Sequence, residues 1–110
     1  MINEITIEDF SKLDIYVGTI IKVSPHPNAD KLYILEVDFN NFKRQIVAGI
    51  RQHYSEKDLL NKQIVVITNL KPIIIRGVES QGMLLAAGSS DGKVAVLSPD
   101  KFIDNNSKIR

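Results

Sequence analysis

Two stretches of this 110-residue chain carry polar groups in patterns that suit binding more than turnover. Residues 24–31 (SPHPNADK) offer Asn28, Asp30 and Lys31 around a histidine flanked by prolines. Residues 69–81 offer Asn69, Lys71, Arg76, Glu79, Ser80 and Gln81, with Met83 just beyond. Cations of this kind neutralise phosphates, while amides and hydroxyls meet sugars and base edges. Lys43 and Arg44 open a further apolar run and add two charges. Plainer roles stand beside these: Asn28, Asn69 and Ser80 can satisfy loop backbone, Met83 can sit in a core, and Lys71 or Arg76 alone is an ordinary surface charge.

Catalytic patterns are missing. Without cysteine there is no disulfide scaffold, thiolate zinc site, iron–sulfur cluster or Cys nucleophile. His26 and His53 have no acidic partner at metal-ligand spacing. Gly77 and Gly82 are followed by Val and Met, so no phosphate loop with Lys-Ser/Thr forms, and the serine-hydrolase, zinc-protease and kinase patterns are absent. The expectation is a non-enzyme without cofactor or metal.

The formal net charge of +1 hides an asymmetry. Residues 1–39 carry 3 basic and 7 acidic groups, residues 40–76 carry 7 and 2, and residues 77–110 carry 4 of each. A positive middle third can present a basic face to a polyanion. No apolar run approaches the roughly 18 residues of a membrane span, and the first ten residues lack a signal-peptide layout. The expected compartment is the cytoplasm, with no membrane partner.

The elements that must hold the two stretches can be read from periodicity. The 16 Ile and 9 Val outnumber the 9 Leu and 5 Ala, a balance that favours strands. Thr6-Ile7-Glu8-Asp9 has capping-box spacing and predicts a helical turn over 7–11. Leu13, Ile15, Val17, Ile21 and Val23 alternate with more polar positions, predicting a long strand with a bulge or bend at Gly18. Further strands are expected at about 32–39, 43–48, 63–68, 82–87 and 94–98. A short helix capped by Ser55 is expected through Leu60. Residues 69–81 read as irregular, and residues 99–110 as a polar tail apart from Phe102, Ile103 and Ile109.

This order, three strands, a helix, then two strands and an extra one, predicts an all-β OB-fold, a five-stranded Greek-key barrel. The reading is one domain over 1–110, with a core of about 13–87 and extensions 1–12 and 88–110. OB-folds bind ligands on strands 2 and 3 and in the loops joining strands 1–2 and 4–5. Those loops are 24–31 and 69–81, the two unusual stretches.

Five ordered segments carry a resemblance. Asp14-Ile15-Tyr16-Val17-Gly18, His26-Pro27-Asn28-Ala29-Asp30-Lys31-Leu32, Arg44-Gln45-Ile46-Val47-Ala48-Gly49-Ile50, Asn69-Leu70-Lys71-Pro72 and Arg76-Gly77-Val78-Glu79-Ser80-Gln81-Gly82-Met83-Leu84-Leu85 are similar to the structure-specific tRNA-binding domain family. That family supplies the C-terminal module of many bacterial methionyl-tRNA synthetases and also occurs as free-standing tRNA-binding proteins and in eukaryotic synthetase-associated cytokine precursors. The resemblance runs from residue 4 to about 98. It implies a non-catalytic OB-fold, usually a homodimer, that binds tRNA by shape with little sequence preference. By matching position it implies RNA contacts at Asn28, Lys31, Lys71, Arg76, Ser80, Gln81 and Met83. It further implies a dimer interface through roughly 1–12 and 94–110, and either a free-standing role or that of a detached subunit beside a methionyl-tRNA synthetase catalytic chain. Two positions depart, Tyr16 and Ile74, where the family commonly has a basic residue. The alternative is the CsaA-like export chaperones, which share the fold and size and bind peptide; that branch lacks the His-Pro-Asn-Ala-Asp-Lys-Leu and Glu-Ser-Gln-Gly-Met-Leu patterns. A dimeric adaptor without RNA binding is the third reading.

Overall fold

A computed structural model describes residues 3–110. The capping box forms as the spacing predicts: Thr6 Oγ1 accepts from the Asp9 amide at 3.1 Å, and the Asp9 carboxylate accepts from the Thr6 amide at 3.2 Å. It starts α1 (Ile7–Ser11). Then follow β1 (Ile15–Pro25), β2 (Tyr33–Asp38), β3 (Lys43–Ala48), α2 (Glu56–Leu59) and β4 (Gln63–Ile67). Ser55 caps α2 by accepting from the Asp58 amide at 3.2 Å, and Leu59 beneath it is fully buried. Burying such a side chain contributes about 1.5–3 kcal/mol.

The predicted irregular stretch and fifth strand come out differently. Residues 69–81 contain a hairpin, β5 (Ile73–Ile75) and β6 (Val78–Ser80). Arg76 and Gly77 turn it with φ of 51° and 89°, the doubly positive geometry that matches hairpin twist. The run predicted at 82–87 divides into β7 (Met83–Leu84), which pairs with β4, and β8 (Ala86–Gly88), which pairs with β9 (Val94–Val96). Leu85, between them, still donates to the Val65 carbonyl at 2.9 Å.

One antiparallel sheet in the order β3-β2-β1-β4-β7 curls into a nearly closed, OB-like barrel. Ile20, Leu35, Val37, Phe39, Ile46, Leu59, Ile64 and Val66 fill it and are fully buried. Gly18 is a packing position: a Cβ there would lie 2.7 Å from both Phe39 Cε1 and Val37 Cγ1. The bulge falls three residues later, where the β1–β2 register shifts between Ile20 and Lys22. An extra residue reverses the parity of a strand. Val23 thereby packs into the core, and Lys22 and Ser24 turn outward.

The tail is not a free extension. It runs along the first half of β1, where Val17 donates to the Ser107 carbonyl at 3.0 Å and Ile109 donates to the Ile15 carbonyl at 2.8 Å. Ile15, Val65 and Ile67 form a second apolar cluster covered by Phe10, Leu13, Leu85 and Ile109.

Candidate nucleic-acid interface

The gap between the barrel's two end strands is bridged partly by side chains. Ser80 Oγ accepts from the Val47 amide at 3.0 Å and donates to the Gly82 carbonyl at 3.1 Å. Gln81 accepts from the Gln45 amide through its side chain at 2.8 Å, while its own amide donates to the Gln45 carbonyl at 2.7 Å. Gln45 in turn donates its side-chain amide to the Glu79 carbonyl at 2.8 Å. These bonds lash β3 to β6 and to Gln81 just after it.

Beside this closure lies an open hollow of about 360 Å³ on the outer face of β1–β3. Lys22, Ser24, Ile34, Glu36, Lys43, Arg44, Gln45 and Gln81 line it. Three cations against one carboxylate make it net basic. The Arg44 guanidinium lies 4.5 Å above the Phe42 ring, which stacks on Phe39 at 4.9 Å, so an aromatic column holds that charge. Lys22 was not singled out in the sequence; its parity is set by the bulge.

The two loops meet each other. The Arg76 Nε–H donates to the Asn28 carbonyl at 3.3 Å, and the Asn28 side-chain amide reaches the Arg76 carbonyl at 3.5 Å. His26, only 3% exposed, lies between them: its Nδ1 accepts from the Asn28 amide at 3.0 Å and its Nε2 lies 3.0 Å from the Ile75 carbonyl. Arg51 braces the same loop by donating to the Ala29 carbonyl at 3.3 Å. Sequence reasoning missed His26 because it tested the residue for metal ligation, not for tying backbone.

The nominated residues separate by position. Asn28, Lys31 and Arg76 are exposed on the joined loops, and Lys71 is exposed just before the hairpin. Lys43, Arg44 and Gln81 line the hollow. Ser80 is buried, its hydroxyl occupied by the barrel closure. Met83 lines a different hollow with Val47, Ile50, Leu84 and Val94. Asn69 has the plainer role, accepting from the Asp14 amide at 2.9 Å and donating to the Lys12 carbonyl at 2.7 Å. Tyr16 packs against the main core from the half of β1 paired with β4, whereas Ile74 is 67% exposed on the hairpin.

The ion pairs of the described residues join Lys12 to Asp9, Lys93 to Asp91 and Lys108 to Asp14. Lys22, Lys31, Lys43, Arg44, Lys71 and Arg76 take no part in them. The Asp91 carboxyl is held below the usual aspartate range by the Ser89 hydroxyl and then the Lys93 amide, but it sits in the β8–β9 turn. Among the described residues no cluster of three or more His, Asp or Glu could hold a metal. None of their helices is long and apolar enough to cross a membrane.

Known proteins resemble the chain over nearly its whole length. It is 54% identical over 103 residues to a methionine–tRNA ligase of Thermococcus onnurineus, covering 94% of this chain and 14% of that protein. The chain thus spans about one seventh of that relative. The crystal structure of a MetRS-related protein from Pyrococcus horikoshii superposes with a TM-score of 0.93 at 33% identity, covering 99% of this chain and 100% of the other. The chaperone CsaA of Bacillus anthracis superposes with a TM-score of 0.88 at 30% identity, covering 98% and 100%. Residues 15–108 match the family described as "Putative tRNA binding domain". From the barrel, the joined loops and that match, the chain belongs to the tRNA-binding domain family.

Proposed function

We propose that residues 1–110 act as one non-catalytic tRNA-binding unit that grips RNA along the basic face of β1–β3, between loop 26–32 and hairpin β5–β6. The supporting observation is the cleft itself: two loops tied together beside a hollow whose cations are committed to no carboxylate among the described residues. Phosphates take the place of those missing partners. Lys31, Lys71, Arg76, Lys43 and Arg44 neutralise the backbone, and Asn28 and Gln81 offer amides to sugar or base edges. Ser80 serves from below by holding the end of β6, next to Gln81. Met83 contacts RNA only where the ligand extends past the hollow.

The unit works in the cytoplasm as a homodimer, through α1 and the tail. Of the predicted segment 1–12, Met1 and Ile2 lie outside the described residues. Supporting the dimer is an apolar hollow of about 380 Å³ where Val65, Leu85, Leu97, Pro99, Ile103 and Ile109 meet, with Leu97 and Ile103 exposed by 40% and 45%. The unit stands free or beside a separate methionyl-tRNA synthetase chain, a reading that draws on the likeness to the MetRS-related protein of Pyrococcus horikoshii.

A titration of total tRNA at several salt concentrations tests this. Wild type should bind at micromolar concentration or tighter, and Lys31→Ala and Arg76→Ala should each lower the salt slope by about one. Equal affinity for duplex DNA at matched salt refutes shape-selective binding. A second reading, peptide binding, draws on the CsaA likeness and on Ile73 and Ile74, exposed by 58% and 67%. It requires suppression of aggregation at stoichiometric amounts without tRNA affinity.

A further inference from the structure

His26 is a buried ring with opposite demands on its two nitrogens. The Asn28 amide points an N–H at Nδ1 from 3.0 Å, so Nδ1 must accept. The single proton of the neutral ring is therefore on Nε2, which donates it to the Ile75 carbonyl at 3.0 Å. One bond stays within loop 26–32, and the other crosses to β5. A second proton would set N–H against N–H at Nδ1 and leave a cation with 3% exposure and no acceptor for its new donor.

We propose that His26 is a proton-operated latch. The neutral ring holds Asn28, whose carbonyl and side chain meet Arg76 of the hairpin. Protonation breaks the Asn28 bond at Nδ1, keeps the Nε2 bond to Ile75, and so loosens loop 26–32 from the hairpin and weakens RNA binding. The latch follows from the ring's two bonds; its effect on RNA rests on the tRNA-binding reading above. Charged groups on the segments meeting the ring are Asp30 and Lys31 on its own loop, Arg76 and Glu79 on the hairpin, and Arg51 after β3. All are exposed or part-exposed to water, which screens them. The lock is closed while Nδ1 accepts from the Asn28 amide and opens when Nδ1 carries a proton.

A competing effect has the opposite sign. An imidazolium beside the cleft adds positive charge, which strengthens phosphate attraction and steepens the salt dependence.

The test uses the intact chain in two measurements at constant ionic strength, at about pH 7.5 and about pH 5.5, spanning the range in which histidine changes charge. The first is hydrogen-exchange protection of the Asn28 amide without RNA, normalised to intrinsic exchange at each pH. Protection should fall on acidification while core amides of β2 hold theirs. The second is tRNA affinity of wild type, His26→Gln and His53→Gln. Gln cannot titrate but still offers an N–H toward the Ile75 carbonyl. Wild type and His53→Gln should lose roughly 3- to 10-fold in affinity on acidification, the worth of about one hydrogen bond, and His26→Gln should respond little. Unchanged Asn28 protection overturns the latch. So does an acid-side gain in affinity with a steeper salt slope. Protection that falls while tRNA binding stays flat overturns its coupling to RNA. Protection that falls in a protein that binds no tRNA at either pH leaves the latch standing and refutes the tRNA-binding reading.

Discussion

The outer surface of the barrel has two halves that share one strand. The second half of β1, with β2 and β3, presents Lys22, Ser24, Glu36, Lys43 and Gln45 to water. The first half, with β4, presents Ile15, Val17, Val65 and Ile67, which α1 and the tail cover. The change of character comes at the extra residue between Ile20 and Lys22. Before it, outward positions are odd-numbered, apolar at Ile15 and Val17 and then Thr19, which bonds Asn105 of the tail; after it, they are even-numbered and polar. A single inserted residue thus divides a polar outer face from an apolar one without a second domain.

Charging the apolar half should have the largest effect. Leu97→Asp combined with Ile103→Asp should give a monomer in sedimentation, with tRNA affinity lower by about 100-fold or more once two-cleft binding is lost. Its salt dependence should keep the signature of one intact cleft. A monomer with full affinity would show that the halves act independently. The next effect comes from Gly18→Ala, which drives a methyl group into Phe39 and Val37 at the middle of the shared strand. Overpacking there should cost about 1–3 kcal/mol, read as a fall in the denaturation midpoint, and it should weaken dimer and cleft together. The smallest is Arg44→Ala. Loss of the contact over Phe42 should cost about 0.5–1 kcal/mol in unfolding experiments. The salt slope of RNA binding should fall by about one, with the dimer unchanged.

Much of the barrel could be read from the sequence because its signals are local. Ile64, Val66 and their neighbours form a compact apolar run, the Ile15–Val23 alternation marks a strand, and Thr6 and Ser55 announce their helices. What was missed depends on distant contacts. The Ile73–Ile75 run does not alternate, and Arg76 is a rare choice for a left-handed turn position, so the hairpin was hidden. Gly18 suggested a bend by composition, although it is the bulk of Val37 and Phe39, on and just after the neighbouring strand β2, that requires it. The tail looked polar because its anchoring is mostly backbone bonding, with Ile109 as the apolar contact on the second cluster. At the site, the loops and their cations were legible. The inward turn of Ser80 and the tie made by His26 were not, since both answer to backbone groups more than 30 residues away.

The capped turn of α1 and the last bonded residues of the tail lie over the same apolar half of the barrel. A polypeptide joined at either terminus would therefore depart from that side. A fluorescent reporter fused there would crowd that apolar half before it reached the basic hollow on β1–β3. An attachment through the exposed β8–β9 turn at Ser90 would leave both ends free.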